Sequence, residues 1–501
     1  MSDIHSGQDT SALLEAGQQA MAQGRWAQGV QCFGQALHQQ SGNAGAWHNL
    51  GVCALAQGKS AVAIDACLRA LALSPSLWQS HLVMGRAQKL TGDMMQADAS
   101  FKAVLRSDAS NPQARVALAD LYMNTFGQPL TAAALVKPLL EMPEHAEDAE
   151  LTTLMAGLYD RDTTAVEHNQ RLIDFSARAL QLDAARLAFL PEYHSTGRSE
   201  LSLPSDASWR PSSGRVRPRV ALISPLLCAS PVYFLTIAAW RHLARGCEVV
   251  VFNRGHQNDW ANAVFRGLAH EWHDVQEMDA VGLAERLYQA DLDVLYDLGG
   301  WMDPVALKAL SVKPVPQMFK WVGGQSVTTG LKSFDGWIGD AWQSPAHLQH
   351  LFTEPLLQIP GGYATYTPPN YLPAHAATKR DVPVIFSNPA KLSRVFLQYV
   401  QTLPGRKCFV HQQFKYPQAR VQVLKYLDAA QVEFVTPTSH REALQVLGQH
   451  RVMLDTFPYS SGLTAQEARA MGVQVQTRVG TLFCERHGAQ WANHSPLQER
   501  P

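Results

Sequence analysis

An excess of charge of either sign is missing from this 501-residue sequence, since 42 lysines and arginines stand against 43 aspartates and glutamates. Charged residues make up 17 % of the chain and apolar residues 46 %, which is the balance of an ordinary folded protein. Proteins that bind nucleic acids usually carry a basic patch or a basic excess. The composition therefore predicts no nucleic-acid partner, and the length predicts at least two domains.

Paired cysteines and long apolar runs are missing as well. The seven cysteines show no C-x-x-C spacing, which predicts reduced thiols in a reducing compartment: Cys32, Cys53, Cys67, Cys228, Cys247, Cys408 and Cys484. The first residues, MSDIHSGQDTSALLEAG, lack the basic and apolar segments of a signal peptide. No later stretch is long and apolar enough to span a bilayer. These absences predict a cytoplasmic protein with no membrane partner.

What the first half does contain is a repeat. Two series of glycines recur at intervals of 34 residues: Gly17, Gly51 and Gly85, and then Gly24, Gly58 and Gly92. With Gly17 at position 8 of the unit, bulky or apolar residues fall at position 24: Phe33, Cys67 and Phe101. A small residue at position 8 lets two helices approach closely, and a glycine near position 15 permits the turn between them. This pattern predicts tetratricopeptide repeats.

The repeats are expected near residues 10–43, 44–77, 78–111 and 112–145, with degenerate helices to 190, so that the array covers 1–192. Stacked helix pairs form a superhelix whose groove commonly holds an extended peptide or a partner protein. The predicted partner is therefore a protein or peptide acceptor. The alternative is that the array only scaffolds or joins two copies of the chain into a homodimer.

A change of pattern marks the second half. Residues 193–217 are rich in Ser, Pro, Gly and Arg and predict a linker. Short apolar runs then alternate with helical stretches, which indicates βα units and parallel sheets. Nine strands are predicted: Val220–Ser224, Glu248–Asn253, Asp293–Asp297, Gln317–Val322, Gly336–Asp340, Pro383–Ser387, Cys408–Gln412, Glu433–Thr436 and Arg451–Leu454. A Pro- and Ala-rich joint near 365–380 divides them into two predicted Rossmann-like lobes, 218–372 and 373–501. Ligands of such sheets bind at the carboxyl ends of the strands, so the chemistry is expected in the cleft between the lobes.

One stretch of the second lobe has the pattern of a phosphate site. A predicted strand ending at Leu454 is followed by the loop Ser460-Ser461-Gly462, and a helix then opens with Thr464 and carries Glu467 on its first turn. Backbone N–H groups and the positive end of the helix dipole suit a diphosphate, and Glu467 is able to accept hydrogen bonds from ribose hydroxyls. Ordinary helix capping explains the same loop without a ligand.

The surrounding motifs resemble a known family. The run G-x-T-x-x-E-A-x-A-x-G-V resembles the donor-binding segment of GT-B glycosyltransferases, and residues 217–490 are similar to the catalytic region of the protein O-GlcNAc transferase family. The segments Phe334–Pro345 and Met318–Gly324 resemble two further motifs of that family. The resemblance implies an α + α/β fold, in which a tetratricopeptide superhelix is followed by a GT-B domain of two Rossmann-like lobes.

The resemblance also implies roles for individual residues. Lys391 matches the lysine that contacts the donor diphosphate and stabilises the leaving group, and Asp274 falls at an acidic position proposed for proton handling. The implied donor-binding residues are Asn388, Arg441, Ser461, Gly462, Thr464 and Glu467. No metal is expected, because lysine, helix dipole and loop amides supply the positive charge. No cofactor is expected beyond the nucleotide-sugar donor, which is a substrate.

Three departures from the family keep alternatives open. Ser230 falls where the family carries a histidine, Leu463 replaces one threonine of the phosphate loop, and the chain ends at Pro501, before the family's closing helices. The leading prediction is a protein O-glycosyltransferase that transfers GlcNAc from a UDP-linked donor to Ser or Thr of an acceptor held by the repeats. The alternatives are another donor, such as a fucosyl or nonulosonate donor, another acceptor, such as a flagellin- or adhesin-like protein, or a binding protein with a vestigial transferase domain.

Overall fold

A computed structural model of the chain describes residues 2–182 and 216–494. The chain divides into two compact units, Met1–Ala156 and Gly157–Pro501. The predicted linker lies outside the described residues except for its last two positions, and so do residues 183–192 at the end of the predicted array.

Helices follow one another through the first unit and into the first residue of the second. Their bounds are α1 Ser2–Ala22, α2 Trp26–Gln39, α3 Ala44–Ala56, α4 Ser60–Leu73, α5 Trp78–Thr91, α6 Met94–Ser107, α7 Pro112–Asp120, α8 Pro129–Val136 and α9 Ala146–Gly157. Each of the four predicted repeats holds one helix pair, and the fourth pair, α7 and α8, is shorter than the others. Within the described ranges no helix is both long enough and apolar enough to cross a membrane.

The glycine periodicity has the packing reason that the sequence predicted. A Cβ atom added at Gly17 would lie 2.9 Å from the ring of Phe33, and one added at Gly85 would lie 2.6 Å from the ring of Phe101. Gly51 faces the Cys67 sulfur in the same way, at 2.9 Å. The second glycine series occupies turns with left-handed backbone: Gly24 (φ +69°), Gly58 (φ +71°) and Gly92 (φ +86°).

Helix α10 (Ala165–Ala179) is the first helix that lies wholly within the second unit, and it packs against other segments of that unit instead of continuing the repeat register. Its N-terminus is closed by a capping box between Thr164 and Glu167. On its buried face, the Asn169 side chain donates to the carbonyl of Leu351 at 2.8 Å, and the Ser176 hydroxyl donates to the carbonyl of Thr329 at 2.7 Å. These contacts explain why the helical periodicity persists here after the repeat pattern has been lost.

The first lobe of the second unit is built on seven parallel strands in the order β3-β2-β1-β4-β5-β6-β7, counted over residues 216–494. The strands are β1 Arg219–Ser224, β2 Glu248–Asn253, β3 Glu271–Asp274, β4 Val294–Asp297, β5 Gln317–Lys320, β6 Gly336–Gly339 and β7 Leu356–Gln358, with helices α11 Pro231–Leu243, α12 Trp260–Leu268, α13 Ala280–Gln289 and α14 Pro304–Leu310. Five of these strands follow the sequence prediction. The edge strands β3 and β7 were missed, because both are short and incompletely buried and so lack a continuous apolar run.

The second lobe has five parallel strands in the order β10-β9-β8-β11-β12, again over the described residues. They are β8 Val384–Phe386, β9 Lys407–Val410, β10 Val432–Val435, β11 Val452–Leu454 and β12 Gln474–Gln476, with helices α15 Arg394–Thr402, α16 Pro417–Leu424, α17 His440–Gly448 and α18 Leu463–Ala470. The strand order reverses between β8 and β11. The loops that leave these two strands therefore open a crevice, which is the usual ligand position in such sheets.

Gly85→Ala is expected to destabilise the first unit, because the added methyl group would collide with the Phe101 ring. Overpacking a filled core costs about 1–3 kcal/mol, to be measured as the free energy of unfolding in urea by circular dichroism of the full chain. Gly34→Ala is the matched control: it lies in α2, and its Cβ would meet nothing within 4 Å. That change is expected to stabilise the unit by about 0.5–1 kcal/mol. Equal effects of the two substitutions would contradict the packing argument.

Candidate functional site

A cavity of about 430 Å³ lies between the two lobes, at the carboxyl ends of the second lobe's strands. Its volume falls within the usual range of small-molecule sites, about 300–1,000 Å³. The first lobe contributes the loop before α11 and the start of that helix, and the second lobe contributes the segments that follow β8, β9, β10 and β11. The lining includes Ser230, Phe234, Asn388, Lys391, His411, His440, Leu463, Thr464 and Glu467.

Four of the eight predicted site residues meet in this cavity: Asn388, Lys391, Thr464 and Glu467. Four do not line it: Asp274, Arg441, Ser461 and Gly462. Gly462 lines a neighbouring cavity of about 310 Å³ on the other side of the first turn of α18.

Lys391 ends a short 3-10 turn that follows β8, and this turn is capped by the Asn388 side chain, which accepts from the Ala390 N–H at 2.9 Å. The half-buried lysine donates from Nζ to the carbonyl of Ser460 at 2.9 Å. The same nitrogen lies 4.3 Å from the centre of the Tyr459 ring. Burial lowers the pKa of Lys391 to about 8, against the opposing attraction of the Asp455 carboxylate.

Asp455 fixes the loop that carries Ser460. Its fully buried carboxylate accepts from the Ser461 N–H at 2.9 Å and from the Thr477 hydroxyl at 2.8 Å. Burial raises the pKa of Asp455 to about 6, while these hydrogen bonds oppose the rise. The Ser460 N–H donates to the Cys484 carbonyl at 2.9 Å. The N–H groups of Ser460 and Ser461, predicted from sequence to face a diphosphate, thus bond within the fold.

Glu467 lies at the start of the second turn of α18, because the helix begins at Leu463, one residue earlier than the sequence predicted. Only 2 % of its surface is exposed. One of its carboxylate oxygens lies 2.8 Å from Nε2 of His440, whose Nδ1 lies 2.9 Å from the Tyr371 hydroxyl. Burial raises the pKa of Glu467, and the bond from His440 opposes the shift. Arg441, the neighbour that was predicted instead of His440, is exposed and lies over the Tyr371 ring at 5.2 Å.

Ser230 caps helix α11, so its hydroxyl is already engaged in the fold. It donates to the Leu226 carbonyl at 2.8 Å and accepts from the Val232 N–H at 3.2 Å. An unactivated serine in this position does not act as a general base. The cap explains the residue without a catalytic role.

Asp274 ends β3, the outermost strand of the first sheet, which places it away from the cavity. Its carboxylate accepts from the Asn253 amide and from the Trp272 indole, both at 2.8 Å, and these bonds lower its pKa. The structure therefore does not bring Asp274 together with Lys391.

His411 and His440 are cavity residues that sequence reasoning did not assign. His411 directly follows β9, and burial lowers its pKa to about 4, so the ring is neutral at pH 7. His440 opens α17 after β10, with its ring 5.4 Å from that of Phe234. Their positions in the sequence could have identified them, because each histidine lies at or just after the carboxyl end of a predicted parallel strand, at the edge of the sheet where ligands bind.

Positive charge in the cavity comes from Lys391 and from the N-terminus of α18, whose residues Leu463 and Thr464 line it. Over residues 2–182 and 216–494, no group of three or more His, Cys, Asp or Glu side chains is placed to hold a metal ion.

The repeats, the sequence and the fold of the chain each have counterparts among known proteins. Residues 14–77 match the tetratricopeptide-repeat family model. The SPINDLY protein of tomato (Solanum lycopersicum), named a probable UDP-N-acetylglucosamine–peptide N-acetylglucosaminyltransferase, is 25 % identical over 318 residues, 58 % of this chain. The chain covers about a third of that protein's length, 34 %.

A solved structure of a Thermobaculum terrenum O-GlcNAc transferase mutant superposes with a TM-score of 0.60. It is 21 % identical, and the match covers 99 % of this chain and 88 % of that one. This likeness confirms the predicted fold class, a tetratricopeptide array followed by two Rossmann-like lobes. In its repeats, its fold and its sequence, the chain is therefore similar to the protein O-GlcNAc transferases, as its motifs predicted.

Proposed function

We propose that the chain is a protein glycosyltransferase, which transfers a sugar from a nucleotide-sugar donor in the interlobe cavity to a protein acceptor held by the repeats. One observation carries the proposal: Lys391 and the N-terminus of α18 meet in a single cavity with the buried carboxylate of Glu467. A cation and a helix N-terminus suit the diphosphate of a ligand, and a carboxylate suits the ribose of the same ligand. The likeness to SPINDLY and to O-GlcNAc transferase supports the same reading.

The donor diphosphate is expected against Lys391, Thr464 and the first N–H groups of α18. Negative charge grows on the leaving phosphate as its bond to the sugar breaks. A lysine ammonium fixed in a partly dry cavity stabilises that charge more than water does, because little reorganisation is needed at the moment of reaction. The reaction in this proposal uses no metal and no cofactor besides the donor.

The nucleoside is expected on the other side of the cavity. Glu467 holds His440 through one hydrogen bond, and a carboxylate with two oxygens has further capacity to accept from ribose hydroxyls. The rings of Phe234 and His440 supply an aromatic surface for a base. Following the family resemblance and the activity for which the tomato relative is named, the proposed donor is UDP-GlcNAc and the proposed acceptor group is a Ser or Thr hydroxyl.

A second candidate function is nucleotide-dependent protein binding by a domain that no longer transfers sugar. The observation that favours it is the capping role of Ser230, which the family resemblance places where the family carries a histidine. The experiment that separates the two incubates the purified chain, and Lys391→Ala as control, with a panel of radiolabelled nucleotide sugars and lysate of its own cells. Labelling of protein by the wild-type chain, but not by Lys391→Ala, supports transfer. Tight binding of a nucleotide without any labelling supports the second candidate.

Lys391→Ala is expected to lower kcat far more than donor affinity, because the charge it stabilises grows in the transition state. A loss of about 100-fold or more in kcat is the scale for removing one electrostatic stabiliser. Steady-state kinetics with the donor identified by the panel, together with calorimetric titration of UDP, measure the two effects. Equal losses in both, or none, would remove Lys391 from the mechanism.

The pH profile should report the same lysine. The pKa of Lys391 is about 8, so the ammonium is charged below that pH and loses its proton above it. kcat/KM is expected to fall as pH rises through about 8, approaching about tenfold per pH unit. Lys391→Arg, whose guanidinium stays charged, is the control and should show no such fall. A profile that falls equally in both proteins would assign the titration to another group.

Glu467→Ala is expected to weaken UDP binding about ten- to a hundredfold, with Glu467→Gln intermediate, since a charge-assisted hydrogen bond contributes about 1.5–3 kcal/mol. Calorimetric titration and melting temperatures measure binding and stability together. Glu433→Ala is the control, because that carboxylate belongs to the same lobe but pairs with Arg380 outside the cavity. Unchanged UDP affinity in Glu467→Ala, with a lowered melting temperature, would refute the assignment of the donor site.

A further inference from the structure

The Tyr459 ring contacts both Tyr159 and Lys391, and its hydroxyl is hydrogen-bonded. On one face lies the ring of Tyr159, with the two centres 5.1 Å apart and the planes inclined by 13°. The Lys391 ammonium lies over the same ring, at 4.3 Å from its centre. The Tyr459 hydroxyl shares a 2.9 Å hydrogen bond with Ser326 of the first lobe. The ring that Lys391 contacts is therefore fixed by a stacked neighbour and by a hydrogen bond.

Both phenols in this stack are neutral at ordinary pH, because burial raises the pKa of Tyr159 to about 12 and that of Tyr459 well above its usual value. The attraction between Lys391 and Tyr459 is thus that of a cation for a ring face, which is strongest where water is excluded. It acts together with the hydrogen bond to the Ser460 carbonyl, which points the ammonium in one direction.

Asp160, the residue after Tyr159, contacts the segment that follows Lys391. The buried Asp160 accepts from the backbone N–H of Arg394 at 2.8 Å and from its guanidinium at 3.0 and 3.1 Å. Arg394 is the first residue of α15 and follows Lys391 by three positions. Residues 159 and 160 therefore steady Lys391 through the aromatic stack and through the helix that follows it.

From this geometry we infer that Tyr459 and Tyr159 are positioning residues for Lys391, which hold its ammonium where the donor diphosphate binds. The inference rests on the proposed function only in assigning that ammonium to a diphosphate. An unrestrained lysine has a long flexible stem, and ordering it on binding or in the transition state costs conformational freedom. Because the stack already orders the lysine in the free protein, that cost does not arise when the donor binds or reacts. Electrostatic preorganisation requires such prior ordering.

A nuclear magnetic resonance signature tests the stack without any assay of sugar transfer. Reductive methylation of the full chain with ¹³C-formaldehyde labels each lysine as a dimethylammonium that keeps its charge and one N–H. The Lys391 signal is identified by its absence from Lys391→Arg. Because an aromatic ring shifts nuclei above its face upfield, that signal should lie upfield of ordinary lysines in the wild type and in Tyr459→Phe. It should return to the ordinary position in Tyr459→Leu and move part of the way in Tyr159→Leu.

Kinetics on the unmethylated proteins provide the second measurement. Tyr459→Leu is expected to lower kcat about three- to thirtyfold, the range of a cation–π contact, with a smaller change in the KM for the donor. Tyr159→Leu should follow with a smaller loss, while Tyr159→Phe and Tyr459→Phe should retain most of the turnover, because they keep the rings. Loss of turnover in both Phe variants to the level of the Leu variants would overturn the role of the rings.

Phe434→Leu is the matched control for a purely structural effect. Its partly buried ring belongs to the same lobe and packs against Phe409 and Phe414, outside the cavity. It should lower the melting temperature without moving the Lys391 signal or changing kcat. An unshifted Lys391 signal in wild type, or one that Tyr159→Leu and Tyr459→Leu leave in place, overturns the inference whatever the activity. The expected shifts without nucleotide binding or transfer would support the stack and refute the proposed function instead.

Discussion

A lysine ammonium that is withdrawn from water needs other groups to replace its lost hydration. The arrangement of the interlobe cavity depends on the groups that do this for Lys391. The Ser460 carbonyl, the Tyr459 ring and the more distant Asp455 carboxylate each supply part of the lost hydration. All three belong to the loop after β11, while Lys391 belongs to the segment after β8. The site therefore depends on the reversal of strand order that sets these two segments side by side.

In a second buried lysine, Lys320, hydrogen bonds within the fold replace all of the lost hydration of the ammonium. Lys320, at the end of β5, is fully buried and donates to the carbonyls of Asp297, Val322 and Gly323 at 2.9, 3.0 and 2.7 Å. It also lies 3.3 Å from the Asp297 carboxylate. All three N–H groups of this ammonium are used, so it stabilises the turn after β5 and has no capacity for a ligand. Lys391 makes one such bond and lines a cavity, which is the arrangement expected of a cation that meets a substrate.

The two lobes differ in what they bring to the cavity. The second lobe provides the cation, the helix N-terminus and the buried carboxylate, all on segments that follow parallel strands. The first lobe provides Phe234 and the capped Ser230, which shape one wall. The polar contacts proposed for the donor thus lie in one lobe, and the other lobe supplies an aromatic surface and the exclusion of water.

Features that depend on local pattern could be predicted from the amino-acid sequence alone. The 34-residue period identified the helix pairs, because each small residue must meet a bulky one in its own repeat. Apolar runs located nine of the strands, and the motif around Leu454–Val475 located Thr464 and Glu467. Lys391 was assigned through the family resemblance, and the structure places it directly after β8, in the wall of the cavity.

Which of these residues share a cavity depends on how distant segments of the chain pack together. Asp274 and Arg441 have the right chemistry, but an edge strand and an outward helix face keep them out of it, while His411 and His440 enter it from neighbouring strand ends. Short edge strands such as β3 carry too few apolar residues to be recognised from sequence. Tyr159 contacts Tyr459, and Asp160 contacts Arg394, although the partners of each pair lie far apart in the sequence. Local pattern specifies the elements, but contacts between distant segments depend on strand order and on packing, which no single segment encodes.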